Sequence, residues 1–335
     1  MWFGLRRRYT FCYENVLGTS FRLEVQARSK RIARAAESAA LAEIDRLEPI
    51  LSSYDPQSEL SRWQQAPRGV ETPLSGDLLT VLTAAEYWHQ WSDGAFHPGA
   101  ESLTRLWKEA ALAGVQPDEK RLQAVREKLA APLWTLDPVR GTGTLLTPCA
   151  LSLNALAKGY IVDCAAQKAF GVSGVEGVLL EIGGDLRVLG NSEQQVGITD
   201  PRRDSEGEPP LGWCALKNAA AATSGGYRRG FVVGETILSH LLDPRSGLPA
   251  AANTPLSVTV VAPDAMAADA LSTAASLLPV AESLERIARL PGCGIFVLDS
   301  NGNGAQSGVL TLWSDSKSRR KVETQDVVWT TRAAG

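Results

Sequence analysis

"LSVTVVAPDAMAADALSTAASLL", residues 256–278, decides the fold: a valine-rich run of strand type, a proline, then a helix. "LSVTVVAP" carries Val258, Val260 and Val261 and stops at Pro263, the composition and punctuation of a strand. "MAADALSTAASLL" switches to helical spacing, with Leu271, Ala274, Ala275 and Leu278 along one stripe. "GCGIFVLD" (292–299) is a further strand candidate, so the helix stands between two strands. Working outward, "GVLLEIGGDLRVLG" (177–190) is a pair of apolar runs broken at Gly183–Gly184, and "NALAKGYIVDCAAQKAF" (154–170) is a helix despite Gly159. "VLGTSFRLEVQA" alternates Phe21, Leu23 and Val25 with polar neighbours as an amphipathic strand does. Residues 30–51 carry Ile32, Ala36, Ala39, Ile44 and Leu47 at helical spacing, with Pro49 near the end. "SSYDPQSELSRW" (52–63) is a polar loop leading into a short helix capped by Ser58. Residues 76–92 and 117–130 are helical, and "SDGAFHPGAESLTRLW" (92–107) between them begins as a Gly/Pro-marked loop. Strands and helices alternate without a regular βαβ rhythm, which predicts an α+β fold.

The 335 residues suffice for one large domain or two medium ones. A formal net charge of −3, with cations scattered, gives no basic footprint for nucleic acid. Five well-separated cysteines, no Cys-x-x-Cys pair and only His89, His97 and His240 argue against a zinc site or a disulfide framework. That usage suits a reducing compartment or free buried thiols. No run approaches the ~18 apolar residues of a membrane span. The N-terminal "MWFGLRRRYTFCYEN" places arginines where a signal peptide has its apolar stretch, so the cytoplasm is the expected compartment. Phosphate-loop, dinucleotide, nucleophile-elbow and His-Glu-x-x-His motifs are all missing from the sequence.

What remains is a set of local clusters, each open to a bland reading. Asp269 and Thr273 sit at i and i+4, side by side on one helix face; they are either an oxygen pair for a ligand or an ordinary solvated face. "SHLLDPRSGLP" (239–249) places His240 beside Asp-Pro and Ser-Gly turn chemistry, and such a histidine can be structural. "ATSGGYRRGF" (222–231) leaves backbone N–H groups uncovered for an anion, or is a plain loop. The glycines of "EIGGDLRV" (181–188) signal close backbone approach or a bulge. Lys158 in "ALAKGY" can snorkel to solvent.

Taken in order, these segments resemble the ApbE family of FAD:protein FMN transferases over roughly residues 16–312. The resemblance rests on Leu17-Gly18-Thr19, "SSYDPQSELSR", "DGAF…LTRLW", Ala-Lys-Gly-Tyr at 157–160 followed by Asp163, and Gly-Gly-Asp at 183–185. It continues through Thr-Ser-Gly at 223–225, His240 to Gly247, and Ala268 to Thr273. Departures are Leu17 for a usual Met, Gln64 for a frequent Asn, His97-Pro98-Gly99 for Asp-Pro-Thr, and Ser152 for an acidic residue. They fall where the rim of a flavin pocket is expected. The signal and lipobox of exported relatives are not seen in this sequence.

The resemblance implies an α+β flavin-transferase fold with the FAD cleft between two α/β lobes. It implies an N-terminal extension (1–15), a transferase domain (16–313) and a loosely held C-terminal tail (314–335). FAD would be split at its pyrophosphate, FMN passing to a Ser or Thr hydroxyl of a partner protein and AMP leaving. Dense anionic oxygen calls for a hard divalent cation. Mg²⁺ would then be held by Asp269, Thr273 and the Ala157 carbonyl, with His240 and Asp269 as the catalytic pair. Leu17, Gly18, Tyr54, Lys158, Gly183, Gly184, Asp185, Ser224 and Gly225 would bind the flavin nucleotide. The alternatives are an FAD pyrophosphatase that delivers FMN to water, and a flavin-binding protein without activity. No acceptor-like Asp-Gly-x-Ser/Thr-Gly-Ala-Ser/Thr stretch occurs in the chain, so self-modification is not expected.

Overall fold

The computed structural model describes residues 7–191, 193–202, 210–225, 230–233, 236–239, 241–250 and 254–313. In chain order its elements begin with β1 (Arg7–Val16), β2 (Thr19–Ala27), α1 (Lys30–Leu51), α2 (Glu59–Gln64), β3 (Glu71–Pro73) and α3 (Gly76–Trp91). Then come α4 (Glu101–Ala113), α5 (Glu119–Ala130), β4 (Trp134–Asp137), β5 (Thr142–Leu145), α6 (Asn154–Phe170), β6 (Val175–Ile182) and β7 (Asp185–Gly190). The chain continues with β8 (Gln194–Ile198), β9 (Gly212–Leu216), β10 (Ala220–Ser224), β11 (Gly230–Val233), β12 (Thr236–Ser239) and β13 (Ser257–Ala262). It closes with α7 (Ala265–Ala275), α8 (Val280–Ala288), β14 (Gly294–Leu298) and β15 (Gly304–Gly308). The expected tail, 314–335, lies outside the described residues, as does most of the expected N-terminal extension's first half, 1–6.

One eight-stranded sheet, in the order β1-β2-β6-β7-β10-β13-β14-β15, organises the molecule, and every neighbouring pair in it is antiparallel. This is the α+β class that the missing βαβ rhythm predicts. The sheet is covered on both faces. Leu23, Val25, Val178, Leu180, Val258, Val260 and Ile295 join α1, α6 and α7 in the main core. Leu179, Leu186, Val188, Phe296 and Leu298 face a smaller cluster with Ile198, Cys214 and Leu216 of the β8–β9 hairpin. Burial on both sides is why β6, β13 and β14 read as continuous apolar runs rather than alternating ones.

Local chemistry places the elements. Ser29, Ser58, Ser75 and Asp118 cap α1, α2, α3 and α5 by accepting from backbone N–H groups of the first turn. Pro49 falls in the last turn of α1, and the helix runs on to Leu51. The paired glycines of "EIGGDLRV" do break the run into two strands, and they are not a bulge. They form the two-residue turn of the β6–β7 hairpin, with φ of 55° at Gly183 and 94° at Gly184. Positive φ at both positions is what a tight hairpin requires, and glycine adopts it without strain. Leu17 (φ 52°) and Gly18 (φ 74°) turn β1 into β2 in the same way. Because β2 pairs with β6, the two turns lie side by side; a Cβ on Gly183 would come within 2.7 Å of Thr19 Cγ2.

Candidate active site

A cleft of about 580 Å³ opens beside these two hairpin turns. Leu17, Gly18, Thr19 and Gly183 form one wall, Glu48, Leu51, Ser52 and Tyr54 a second, and Asn154, Ala157, Lys158 and Ile161 of α6 a third. Tyr54 projects into solvent with 84% of its surface exposed, and its hydroxyl accepts from Asn154 Nδ2 at 2.8 Å. Ser53 Oγ donates to Asn154 Oδ1 at 2.8 Å, so the amide fixes the loop from both sides. The ring therefore stands at the mouth of the cleft with one edge anchored and one face free for an aromatic ligand.

Lys158 connects the cleft to a buried carboxylate pair. Its Nζ lies 2.5 Å from Asp185 Oδ2, so it is an ion-pair partner rather than a snorkelling surface charge. Asp185 and Asp269 are both buried. Burial, then the Asp185 charge, hold the Asp269 carboxyl well above the usual range, and Lys158 opposes them. Burial pulls Lys158 down, but the Asp269 and Asp185 charges outweigh it, so its pKa is raised. Two carboxylates face one ammonium.

Helix α7 is buried nearly all round: Ala265, Ala267, Ala268, Asp269, Ala270, Leu271, Ser272, Ala274 and Ala275 are inside. The solvated-face reading of Asp269 is thereby excluded, since its side of the helix also faces protein. Asp269 Oδ2 has no hydrogen-bond partner among the described residues. One turn on, Thr273 Oγ1 lies 3.3 Å from Ser224 Oγ at the end of β10, and Ser224 Oγ also pairs with Ser272 Oγ at 2.8 Å. Among the described residues no three His, Cys, Asp or Glu side chains cluster, so a cation here must also draw on hydroxyl or backbone oxygens. An orphaned buried carboxylate oxygen, a neighbouring hydroxyl and a local excess of negative charge fit a hard divalent cation. They do not fit a thiophilic metal.

Of the residues expected at the flavin nucleotide, Leu17, Gly18, Tyr54, Lys158 and Gly183 line the cleft together with Ala157. Gly184, Asp185, Ser224, Gly225, Asp269 and Thr273 are not among its lining residues; Lys158 joins Asp185 to the cleft by the ion pair and feels the Asp269 charge, and Ser224 contacts Thr273. His240 lies outside the described residues, as do Tyr227, Arg228 and Arg229. Of the departures expected at a pocket rim, only Leu17 lines the cleft. Gln64 Oε1 accepts from Leu151 N and fixes the chain entering α6. Gly99 N donates to His97 Nδ1 in a local turn, and His97 lines a separate cavity with Leu129 and Trp134. Ser152 N donates to Pro98 O.

Sequence reasoning gave no role to Asp163. Its carboxylate accepts from Ala265 N at 2.9 Å and from Met266 N at 3.0 Å, at the very start of α7. Burial pushes this carboxyl up to about 6 against the pull of those N–H groups. The signal available was its spacing: Asp163 stands one helical turn after Gly159, on the same face of α6.

The ApbE family matches residues 17–297. A protein of Haemophilus influenzae named FAD:protein FMN transferase is 30% identical over 295 residues, 82% of this chain and 80% of that one. One of the same name from Treponema pallidum is 27% identical, covering 89% and 86%. The crystal structure of the ApbE protein from Thermotoga maritima superposes with a TM-score of 0.76 at 27% identity, covering 90% of this chain and 97% of the other.

Proposed function

The chain belongs to the ApbE family, and from that premise we propose that it transfers FMN from FAD to a Ser or Thr hydroxyl of a partner protein, releasing AMP. The observation that carries the reading is the orphaned, buried Asp269 Oδ2 beside Thr273, with the Asp269 charge felt by Lys158 of an open cleft. Flavin transfer is also what its relatives are named for. The cation would be Mg²⁺; Asp269, Thr273 and the Ala157 carbonyl would hold it, and it would supply neutralisation of pyrophosphate charge during phosphoryl transfer.

The chain's own residues do the rest. Tyr54 offers a ring face to the flavin or adenine, and the Leu17–Gly18 and Gly183–Gly184 turns let backbone approach the nucleotide closely. Asp185 holds the Lys158 ammonium beside the pyrophosphate. His240, whose ordinary pKa is near neutral, handles the proton. Asp269→Ala should abolish FAD cleavage without unfolding the protein, because alanine is favoured in a helix interior. Thr273→Val keeps the shape and should weaken Mg²⁺ dependence, with the loss in the chemical step rather than in flavin binding. FAD turnover by Asp269→Ala at the wild-type rate, or wild-type turnover indifferent to EDTA, refutes the assignment.

A further inference from the structure

Helices α6 and α7 carry the proposed cation ligands separately: the Ala157 carbonyl on one, Asp269 and Thr273 on the other. Their relative position is therefore the geometry of the site. Two features of α6, one turn apart, set it. Gly159 lets the backbones touch: a Cβ there would lie 2.4 Å from Ala265 O and 2.7 Å from Met266 Cα. Asp163 then takes both leading N–H groups of α7, Ala265 and Met266, while Asp264 takes the third from Ala267. A helix start leaves these donors without internal partners, and an anion there is favoured by the helix dipole. Arg187 of β7 adds a third tether, with Nε 3.5 Å from Asp163 Oδ1 and a hydrogen bond to Pro263 O. Asp269 lies one turn beyond Ala265 along the same helix. A shift at the tethered end is thus carried to the ligands by a rigid, buried element.

We propose that Asp163 is a positioning residue for the divalent cation: by pinning the N-terminus of α7 to α6 it sets the span between the Ala157 carbonyl and the Asp269/Thr273 pair. This rests on the cation reading above. Asp163 itself is not among the residues lining the cleft, so its removal should leave flavin contacts in place.

The test is Mn²⁺ binding, measured by the electron paramagnetic resonance of free Mn²⁺, on wild type, Asp163→Ala and Asp163→Asn. FAD binding in EDTA and far-ultraviolet circular dichroism are measured on the same samples. Losing the tether should weaken Mn²⁺ by about tenfold or more, the usual effect of removing a partner that orients metal ligands. FAD affinity in EDTA should stay within about twofold over the same variants. Asp163→Asn keeps an acceptor oxygen and should fall between wild type and Asp163→Ala; if the alanine variant does not fold, the asparagine variant carries the decision. Wild-type Mn²⁺ affinity in a folded variant overturns the proposal alone. Equal losses of Mn²⁺ and FAD affinity do so too, since they mark a general structural role. A wild type that binds no Mn²⁺ overturns the cation reading and this proposal with it.

Discussion

Lys158 and Asp185 form an ion pair, Nζ to Oδ2 2.5 Å, in which the carboxylate is buried and the ammonium faces the cleft. With Asp269 buried alongside, the lysine compensates two carboxylates at once. Breaking a buried pair leaves an uncompensated charge, so Lys158→Met should cost roughly 3 kcal/mol of unfolding free energy in EDTA. Urea denaturation measures it. An unchanged midpoint means that the pair carries no such burden.

Asp269 should reverse its effect on stability with the cation. In EDTA it is a buried carboxylate facing another, so Asp269→Asn should be at least as stable as wild type. With Mg²⁺ at a hundred times its dissociation constant, wild type should gain about 2.7 kcal/mol by mass action, and the variant should not. Parallel melting curves for both proteins in EDTA and in Mg²⁺ decide it; an equal Mg²⁺ shift in the two contradicts the ligand assignment.

The structure explains why α7 deceived at the level of pattern. Its apolar stripe, Leu271, Ala274, Ala275 and Leu278, is real and buried, but periodicity says nothing about whether the other face is also covered. Here β7, β10 and α6 cover it. The α+β class, the limits of α1 and α6 and the Ser58 cap were legible, because they depend on short-range spacing and on capping chemistry. The Lys158–Asp185 pair and the Asp163 tether were not. They join residues 27 and 102 positions apart, and only the sheet order brings them together. The Gly183–Gly184 turn was half legible: the break showed, but the pairing of Ile182 with Asp185 that makes it a hairpin did not.

Histidine 97 makes the protein acid-sensitive away from the cleft. Its Nε2 donates to Leu129 O while Nδ1 accepts from Gly99 N, an arrangement that requires the neutral ring. Burial lowers its pKa to about 4, below the ordinary 6.5. The unfolded chain therefore binds the extra proton first, and stability falls as pH drops from about 6.5 through 4, by about 3 kcal/mol in all. His97→Gln should lack that component, and urea midpoints of the two proteins across this window check it. Parallel pH profiles would show that His97 is not the group responsible.

Glycine 159 reports on the contact between α6 and α7. Alanine is the better helix former by about 1 kcal/mol, so propensity alone favours Gly159→Ala. Its Cβ, however, would meet Ala265 O at 2.4 Å, and forced overpacking costs about 1–3 kcal/mol, here against backbone that cannot rotate away. The net expectation is a loss of up to about 2 kcal/mol. A variant more stable than wild type in thermal unfolding would mean that the two helices can separate freely.

The most direct measurement follows both halves of FAD at once. Wild-type protein is incubated with FAD and Mg²⁺, with and without an acceptor protein bearing the target hydroxyl, and AMP and acid-stable protein-bound flavin are quantified. The account predicts AMP and covalent flavin in equal amounts, both dependent on the acceptor and on Mg²⁺, and both lost in EDTA and in Asp269→Ala. AMP and free FMN with the acceptor unlabelled, or acceptor labelling that persists in EDTA, would contradict it.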